Sequence, residues 1–216
     1  MNAPERPPTP ARAGRPTRAQ AEARHAELLE AALDHFLEKG FELATVEAIA
    51  ASVNMTKRTV YARYPEKVAL FRAAVAQAIA RLAVSEARMR AAVADDLEQT
   101  LVNIARLRVD PLTTPAGLKL QRIIQTESYR FPDVFTLSYE HGALPVIRFL
   151  GALLAAETAA GRLAIAEPDL AANVFISMVV SGPIRILTAG LAVSPEEVDH
   201  RIRFAVRLFL DGARAR

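Results

Sequence analysis

The sequence predicts an all-α protein, and three observations support that class. Leucine and alanine recur at helical spacing along most of the chain, glycine is limited to 9 of 216 residues, and no convincing stretch alternates apolar and polar residues as a half-buried strand does. Hydrophobic residues make up 51% of the chain, so a chain of this length can bury a substantial core. Helix-start signals divide the chain into about nine helices.

The first helix is predicted from Arg18 to Lys39. Thr17 and Gln20 have the spacing of a capping box, and Gly40 suits the position just after a helix. One face of this helix carries an apolar stripe, which should support the helices that follow. The stripe consists of Leu28, Leu29, Ala32, Leu33, Phe36 and Leu37.

The stretch from residue 45 to residue 64 predicts two short helices joined by a tight turn. Thr45 and Thr56 are suitable N-caps for the two helices, and Asn54 between them tolerates a positive φ. Pro65 fits the first turn of a third helix. This arrangement predicts a helix-turn-helix, which lies in a DNA-binding domain predicted over residues 17–64.

The second short helix has a polar outer face suited to DNA. Between Asn54 and Tyr64 the chain has three cationic residues and no carboxylate. Lysine and arginine bind phosphates or guanine, and threonine and tyrosine hydroxyls bind phosphate oxygens. The outward residues are Lys57, Arg58, Thr59, Tyr61 and Arg63.

This stretch resembles the DNA-binding domain of the TetR family of bacterial transcriptional regulators. The residues that match the family pattern outright are Thr45, Val46, Ile49, Ala50, Lys57, Thr59, Tyr61 and Lys67. Thr56, Val60, Met55 and Tyr64 are close substitutes. Asn54, Arg58 and Arg63 depart from the pattern, and the two arginines add charge toward DNA.

The resemblance implies a set of DNA-binding residues. Lys57, Tyr61 and Lys67 are predicted to contact phosphates mainly, whereas Arg58 and Thr59 are better placed for base readout. The complete set is Thr45, Thr56, Lys57, Arg58, Thr59, Tyr61, Arg63, Tyr64, Lys67 and, from the N-terminal arm, Arg15.

Residues 1–16 are predicted to form a disordered basic arm, because they are rich in proline and arginine. Residues 1–18 carry four arginines and one glutamate, a net charge of +3. This equals the net charge of the whole chain, so the remaining residues sum to zero. Residues 13–16, Ala-Gly-Arg-Pro, resemble the core of an AT-hook, which inserts arginine into the minor groove. A solubilising tail is the alternative interpretation.

The remainder is predicted to form a connecting helix within residues 65–94 and a ligand-binding and dimerisation domain over residues 95–216. Proline, glycine and cap residues mark the helix ends in this part. The predicted helices run from Asp95 or Asp96 to about Val109, from Pro115 to before Phe131, from Pro132 to about Ala160 with a kink or break at Gly142 and Pro145, from Pro168 with an interruption at Gly182 and Pro183, and from Pro195 to the end.

An aromatic ladder is the best candidate for a ligand pocket. Phe131, Phe135 and Tyr139 recur at intervals of four, which places them on one face of a continuous helix. An ordinary core with a charged rim is the alternative. The run 122–133 resembles the C-terminal domain of a TetR subgroup of efflux and stress regulators. The ligand-binding candidates are Arg122, Glu127, Phe131, Phe135, Tyr139, His141 and Phe175.

The last two helices have broad apolar faces although earlier helices already supply a core. Such faces need a partner, so a two-fold homodimer is predicted. The predicted interface residues are Val174, Met178, Ile202, Val206 and Phe209.

Several other classes of protein are disfavoured. The chain has no cysteine, and it shows no nucleophile motif, phosphate-binding loop or metal-ligand spacing, so no enzyme, cofactor or metal is expected. The N-terminus lacks the apolar region of a signal peptide, and the uncharged run 170–184 is short for a bilayer. A cytoplasmic protein without a membrane partner is expected. His25 and His35 are interpreted as ordinary surface or boundary residues.

The resemblance therefore implies a dimeric, sequence-specific DNA-binding regulator, a repressor that an unidentified small-molecule ligand releases from double-stranded operator DNA. The alternative is a nucleoid-associated or scaffolding protein that binds DNA without an inducer. A third hypothesis, a small-molecule enzyme carrying a helix-turn-helix, has no supporting motif.

Overall fold

The structure, a computed structural model, describes residues 17–214 and confirms the all-α class. Within those residues the only β-type pairing is one isolated bridge between Leu163 and Arg214. The helices are α1 (Arg18–Leu43), α2 (Val46–Ser52), α3 (Lys57–Tyr61), α4 (Lys67–Leu82), α5 (Glu86–Ala91), α6 (Leu97–Thr113), α7 (Pro115–Glu127), α8 (Pro132–Ser138), α9 (Leu144–Ala159), α10 (Pro168–Thr188) and α11 (Pro195–Ala213).

Two pairs of these helices are nearly continuous, so the described residues form nine helical units, as predicted. Three residues separate α4 from α5, and a π-helical turn, Tyr139–Ala143, joins α8 to α9. The predicted break at Gly142 and Pro145 is confirmed, because the π turn contains the glycine and the proline lies in the first turn of α9. A proline there costs no helical hydrogen bond.

Two predicted interruptions are wrong. Pro111 lies inside α6, so Thr114 alone separates α6 from α7, and α10 passes through Gly182 and Pro183 without ending. Each proline removes one helical hydrogen bond, but buried packing around it stabilises the helix: Pro183 itself is buried, and so is Leu112 beside Pro111.

The connecting helix also differs from its prediction. It begins at Lys67 with Glu66 as N-cap, rather than at Pro65, and it ends at Leu82. The short α5 that follows was not predicted as a separate helix. Its signal was Ser85, whose hydroxyl accepts a hydrogen bond from the backbone N–H of Arg88.

The apolar side chains form two cores. The first core contains side chains of the four helices α1, α2, α3 and α4, and also of α7 and the start of α8. The residues from α7 and α8 include Leu120, Ile123 and Val134. The second extends from Val84 to Ala213 and lies among α5, α6, α9, α10 and α11. Side-chain packing therefore groups α7 with the first four helices, although the domain boundaries predicted from the sequence follow chain order.

Three helical stretches, 67–91, 132–159 and 168–188, are long and apolar enough to cross a membrane by length and composition alone. In the fold they supply buried residues to both cores, among them Phe71, Leu150 and Phe175.

Candidate functional site

The helix-turn-helix has the local geometry that its sequence predicts. The Thr45 hydroxyl accepts a hydrogen bond from the backbone N–H of Ala48 at 3.2 Å, and the Thr56 hydroxyl accepts one from Thr59 at 3.2 Å. Asn54 has a φ of 54° and is the one non-glycine residue with positive φ among residues 17–214. Both caps and the turn residue are therefore confirmed.

Helix α3 is anchored by one buried side chain and presents the others to solvent. Val60 is fully buried in the first core together with Ile49 of α2. Lys57, Arg58 and Thr59 are exposed on the opposite side. The Thr59 hydroxyl is hydrogen-bonded to that of Thr56 at 2.8 Å. The outward face of α3 is thus cationic and rich in hydroxyl groups.

Lys57 forms an ion pair with Glu47 of α2, and both side chains are about half exposed. The hydrogen bond between them lowers the pKa of Glu47 and raises that of Lys57. The Lys57 ammonium also lies 5.5 Å from the centre of the Tyr61 ring. A phosphate that binds Lys57 must therefore compete with a carboxylate of the protein.

Arg58 and Arg63 are exposed, and neither forms an ion pair within residues 17–214. Their guanidinium groups can therefore reach an external anion without breaking a pair in this part of the chain. Arg15, the remaining predicted DNA-binding arginine, lies outside the described residues together with the whole arm, residues 1–16.

Tyr64 has an internal partner that the sequence did not reveal. Its hydroxyl and Nε2 of His25 are 2.6 Å apart, and the two rings are stacked with centroids 6.0 Å apart. Burial and the nearby Arg63 lower the pKa of His25, and burial raises the pKa of Tyr64. Both rings are therefore neutral at neutral pH, and the pair fixes the end of the motif to α1. His25 is half-buried, as expected of a boundary residue, but its partner Tyr64 was not predicted.

Lys67 is also engaged within the protein. Its ammonium donates hydrogen bonds to the carbonyl oxygens of Phe41, Glu42 and Ala44 at 2.7, 3.0 and 3.1 Å. A lysine has three donors, and all three are used here. The structure therefore does not support the prediction that Lys67 mainly contacts phosphate; instead, Lys67 holds the carboxyl end of α1 against the start of α4.

An aromatic cluster lies at this same junction. The Phe41 ring contacts those of Phe36, Phe71 and Phe131 at centroid distances of 5.7, 5.5 and 4.7 Å. Arg130 lies 5.0 Å from the Phe41 ring and pairs with Glu42. The cluster thus connects the helix-turn-helix support, the connecting helix and the loop before α8.

The predicted aromatic ladder does not form one wall. Phe131 packs in the first core, Phe135 is 58% exposed, and Tyr139 is half-buried against the second core. Phe131 precedes α8 as its N-cap and Tyr139 lies in the π turn, so the three do not lie on one regular helix. The shared-wall prediction is wrong because it assumed a continuous α-helix.

The other ligand-binding candidates are also dispersed. Arg122 and His141 are exposed, and Glu127 is half-buried. Phe175 is fully buried in the second core and contacts the Phe209 ring at 5.2 Å. The Tyr139 hydroxyl accepts a hydrogen bond from the Asn173 amide of α10 at 3.3 Å. Of the predicted set, Tyr139 and Phe175 alone belong to the second core.

The predicted dimer residues divide into two groups. Val174 and Met178 are partly exposed on α10, whereas Ile202 and Val206 are buried and Phe209 packs on Phe175. The last three are therefore corrected from interface to core. The apolar residues that α10 and α11 do expose are Leu170, Val174, Met178, Phe204 and Leu208.

Two family patterns match the chain. The pattern for bacterial regulatory proteins of the tetR family matches residues 28–74, which contain the helix-turn-helix. The pattern for the C-terminal domain of AefR-like transcriptional repressors matches residues 99–212, more than half of the chain.

Curated relatives include uncharacterised HTH-type transcriptional regulators from Mycobacterium bovis and from Mycobacterium tuberculosis. Each is 43% identical to this chain over 61 residues. The match covers 28% of this chain and spans 30% of each relative's length. It therefore compares a segment and not the whole proteins.

Solved structures resemble nearly the whole fold. A TetR-family regulator from Mesorhizobium loti superposes with a TM-score of 0.75 at 24% identity, covering 93% of this chain and 100% of the other. A protein described as flavonoid-responsive regulator FrrA superposes with a TM-score of 0.68 at 28% identity, covering 90% of this chain and 99% of the other.

Proposed function

The chain belongs to the TetR family of bacterial regulatory proteins, and on that premise we propose that it is a cytoplasmic, dimeric repressor that a small-molecule ligand releases from its operator. It is a DNA-binding transcriptional regulator with a helix-turn-helix. The observation that carries the proposal is the outward face of α3, where Lys57, Arg58 and Thr59 are exposed beside Arg63.

We assign different roles to the side chains of this face. Lys57 and Tyr61 contact phosphates, whereas Arg58 and Thr59 read bases, because a guanidinium can donate two hydrogen bonds to guanine. Thr45 and Thr56 present helix N-termini to the backbone of DNA. Tyr64 and Lys67 serve to hold the motif in place, since both are occupied inside the protein.

Two stripes of exposed apolar residues support a homodimer. Leu170, Val174 and Met178 follow one another at intervals of four along α10, and Phe204 and Leu208 do so along α11. Large apolar side chains that are exposed in rows along two helices are typical of a protein–protein interface. In the proposed dimer these helices pair across a two-fold axis, which would set the spacing between two copies of α3.

Ligand responsiveness is supported by the fold of the second core and by the likeness to a flavonoid-responsive regulator and to AefR-like repressors. We assign the coupling between the ligand-binding part and α3 to α4, whose Phe71 packs on Phe41 in the first core. A ligand shifts the equilibrium between two separations of the DNA-binding motifs only by its differential affinity for them.

Replacing Arg58 with alanine should relax base preference at one position of the operator. Loss of a bidentate contact to a base costs about 1–3 kcal/mol of discrimination. Binding should be measured on a panel of single-base variants of an operator that the protein selects from a random DNA pool. Arg88→Ala, at an exposed arginine on α5, is the matched control and should leave the preference intact. Unchanged selectivity in Arg58→Ala would reject the base-reading role.

Replacing Glu47 with glutamine should strengthen DNA binding. The change removes the carboxylate that pairs with Lys57 and one negative charge near the phosphates. An exposed ion pair is weak, so a gain of about two- to fivefold in affinity is expected, and the gain should shrink as salt rises. Glu86→Gln, which breaks a similar exposed pair with Arg90, is the control. Weaker binding by Glu47→Gln would show that the pair positions α3.

A further inference from the structure

Arg108 of α6 is a charged side chain enclosed in the second half of the molecule. It is 7% exposed, and Thr100 is the other polar residue buried to this degree within residues 17–214. The Thr100 hydroxyl is satisfied, since it bonds the carbonyl oxygens of Ala94 and Asp96 at 3.2 and 3.0 Å. Nε of Arg108 is buried and has no hydrogen-bond partner.

No carboxylate of the described residues compensates this guanidinium. Arg108 takes part in none of the ion pairs of residues 17–214. Burial raises the pKa of Asp110, two residues further along α6, and the charged groups that act on it are Arg106 and Asp199, which form an ion pair with each other. A buried charge without a partner is costly, so its retention calls for a function.

Arg108 remains a cation at neutral pH. Burial lowers its pKa to about 10, which is still well above neutrality. A guanidinium in an apolar interior attracts an anion more strongly than one in water, because the surroundings screen the charge less. Its planar group of donors fits the two oxygens of a carboxylate.

The tip of the Arg108 side chain lies against a glycine of the π turn. A Cβ on Gly142 of the π turn would lie 3.6 Å from Nη2 of Arg108, so the guanidinium tip faces a residue without a side chain. The same turn carries Tyr139, which is hydrogen-bonded to Asn173 of α10. π-Helical turns occur frequently at functional sites. The residues one turn before and one turn after Arg108 on α6, Ile104 and Leu112, are buried and apolar.

We propose that Arg108 is the recognition group for the acidic oxygens of the effector, and that the effector is an apolar organic carboxylate. The inference rests on the proposed ligand-responsive function and names its ligand class. The apolar body of the ligand would lie in the second core, and its carboxylate would accept hydrogen bonds from the guanidinium beside Gly142. Tyr139, which lies in the same π turn as Gly142, and its partner Asn173 are the neutral polar groups that we assign to orient it.

The test compares acids with their neutral amides on the full-length protein. Isothermal titration calorimetry should show that sodium decanoate and 1-naphthoate bind at least about tenfold more tightly than decanamide and 1-naphthamide, because the amides lack the charge that Arg108 needs. Arg108→Met should abolish that preference and should melt at the same or a higher temperature, because it removes an uncompensated buried charge.

Two further variants separate recognition from folding. Arg106→Met, on the same helix, breaks the ion pair with Asp199 and should keep the preference for acids. Gly142→Ala places a methyl group at ordinary contact distance from the guanidinium, so it should fold normally and weaken acid binding. Failure of both acids to bind, equal binding of acids and amides, or an Arg108→Met variant that melts lower and keeps its preference would overturn the proposal.

DNA binding distinguishes this inference from the function on which it rests. If the protein binds a selected operator but neither acid releases it, the carboxylate proposal fails and the regulator proposal stands. If the protein selects no operator, the regulator proposal fails whatever the acids do. If both proposals are correct, decanoate or 1-naphthoate releases the wild type from the operator, and the Arg108→Met variant stays bound to it.

Discussion

Phe204→Glu is expected to convert the protein into monomers and to weaken operator binding by at least about a hundredfold. A monomer presents one recognition helix to one half-site, so the affinity gained by binding two half-sites together is lost. Phe204 is 56% exposed on α11, one turn before the exposed Leu208. A charge placed there opposes association across the proposed interface and leaves the second core intact. Sedimentation velocity at micromolar concentration and an operator titration measure the two effects.

The matched controls for this variant use the same substitution at other aromatic positions. Tyr129→Glu, at a side chain that is 99% exposed outside α10 and α11, should remain dimeric and bind normally. Phe209→Glu should instead unfold the second core, since Phe209 packs against Phe175. A Phe204→Glu variant that stays dimeric with full affinity would disprove the proposed interface.

Replacing Phe41 with alanine is expected to cost about 3–5 kcal/mol of stability, the usual range for a buried phenylalanine. Its ring contacts three other phenylalanine rings and lies 4.6 Å below the Lys67 ammonium. Loss of the ring leaves a cavity where α1, α4 and the start of α8 meet. Chemical denaturation with far-ultraviolet circular dichroism measures the change in the free energy of unfolding.

Leu43→Ala provides the control for Phe41→Ala. Leu43 is close in sequence and large and apolar, but it is 75% exposed, so its truncation should change stability by less than about 0.5 kcal/mol. Similar losses in the two variants would show that the aromatic cluster does not hold the junction together.

Local signals in the sequence were sufficient for the helix-turn-helix. The capping threonines, Thr45 and Thr56, and the turn residue Asn54 act within a few residues of their partners, so short-range chemistry determines their geometry. The same holds for Ser194, which caps α11 through the N–H of Glu197. Helix class and most helix starts were therefore predictable.

Features that depend on packing were not predictable in this way. Helix α10 is apolar on several faces, and periodicity alone does not say which face meets the protein's own core. On α11 this ambiguity led to Val206 and Phe209 being predicted at an interface, whereas Phe204 and Leu208 are the exposed residues. The aromatic ladder failed for another reason, because the π turn changes the angular spacing after Ser138.

Long-range polar contacts were equally hidden. Lys67 binds three carbonyl oxygens more than twenty residues away, and Tyr64 meets His25 across 39 positions. A motif match assigns such residues to DNA because family patterns do not distinguish contact with DNA from support of the motif. The burial of Arg108 could not be predicted from the sequence, since a single arginine in a helix is ordinarily expected to be exposed to solvent.

Selection of bound duplexes from a random DNA pool by the full-length protein tests the central claim most directly. A dimeric, sequence-specific regulator should enrich one inverted repeat with half-site centres about 34–36 Å apart, or a multiple of that spacing. Phe204→Glu should fail to enrich it, and Tyr129→Glu should enrich the same site. Enrichment of no sequence, or of a single half-site without symmetry, would contradict the account and favour a protein that binds DNA without an operator.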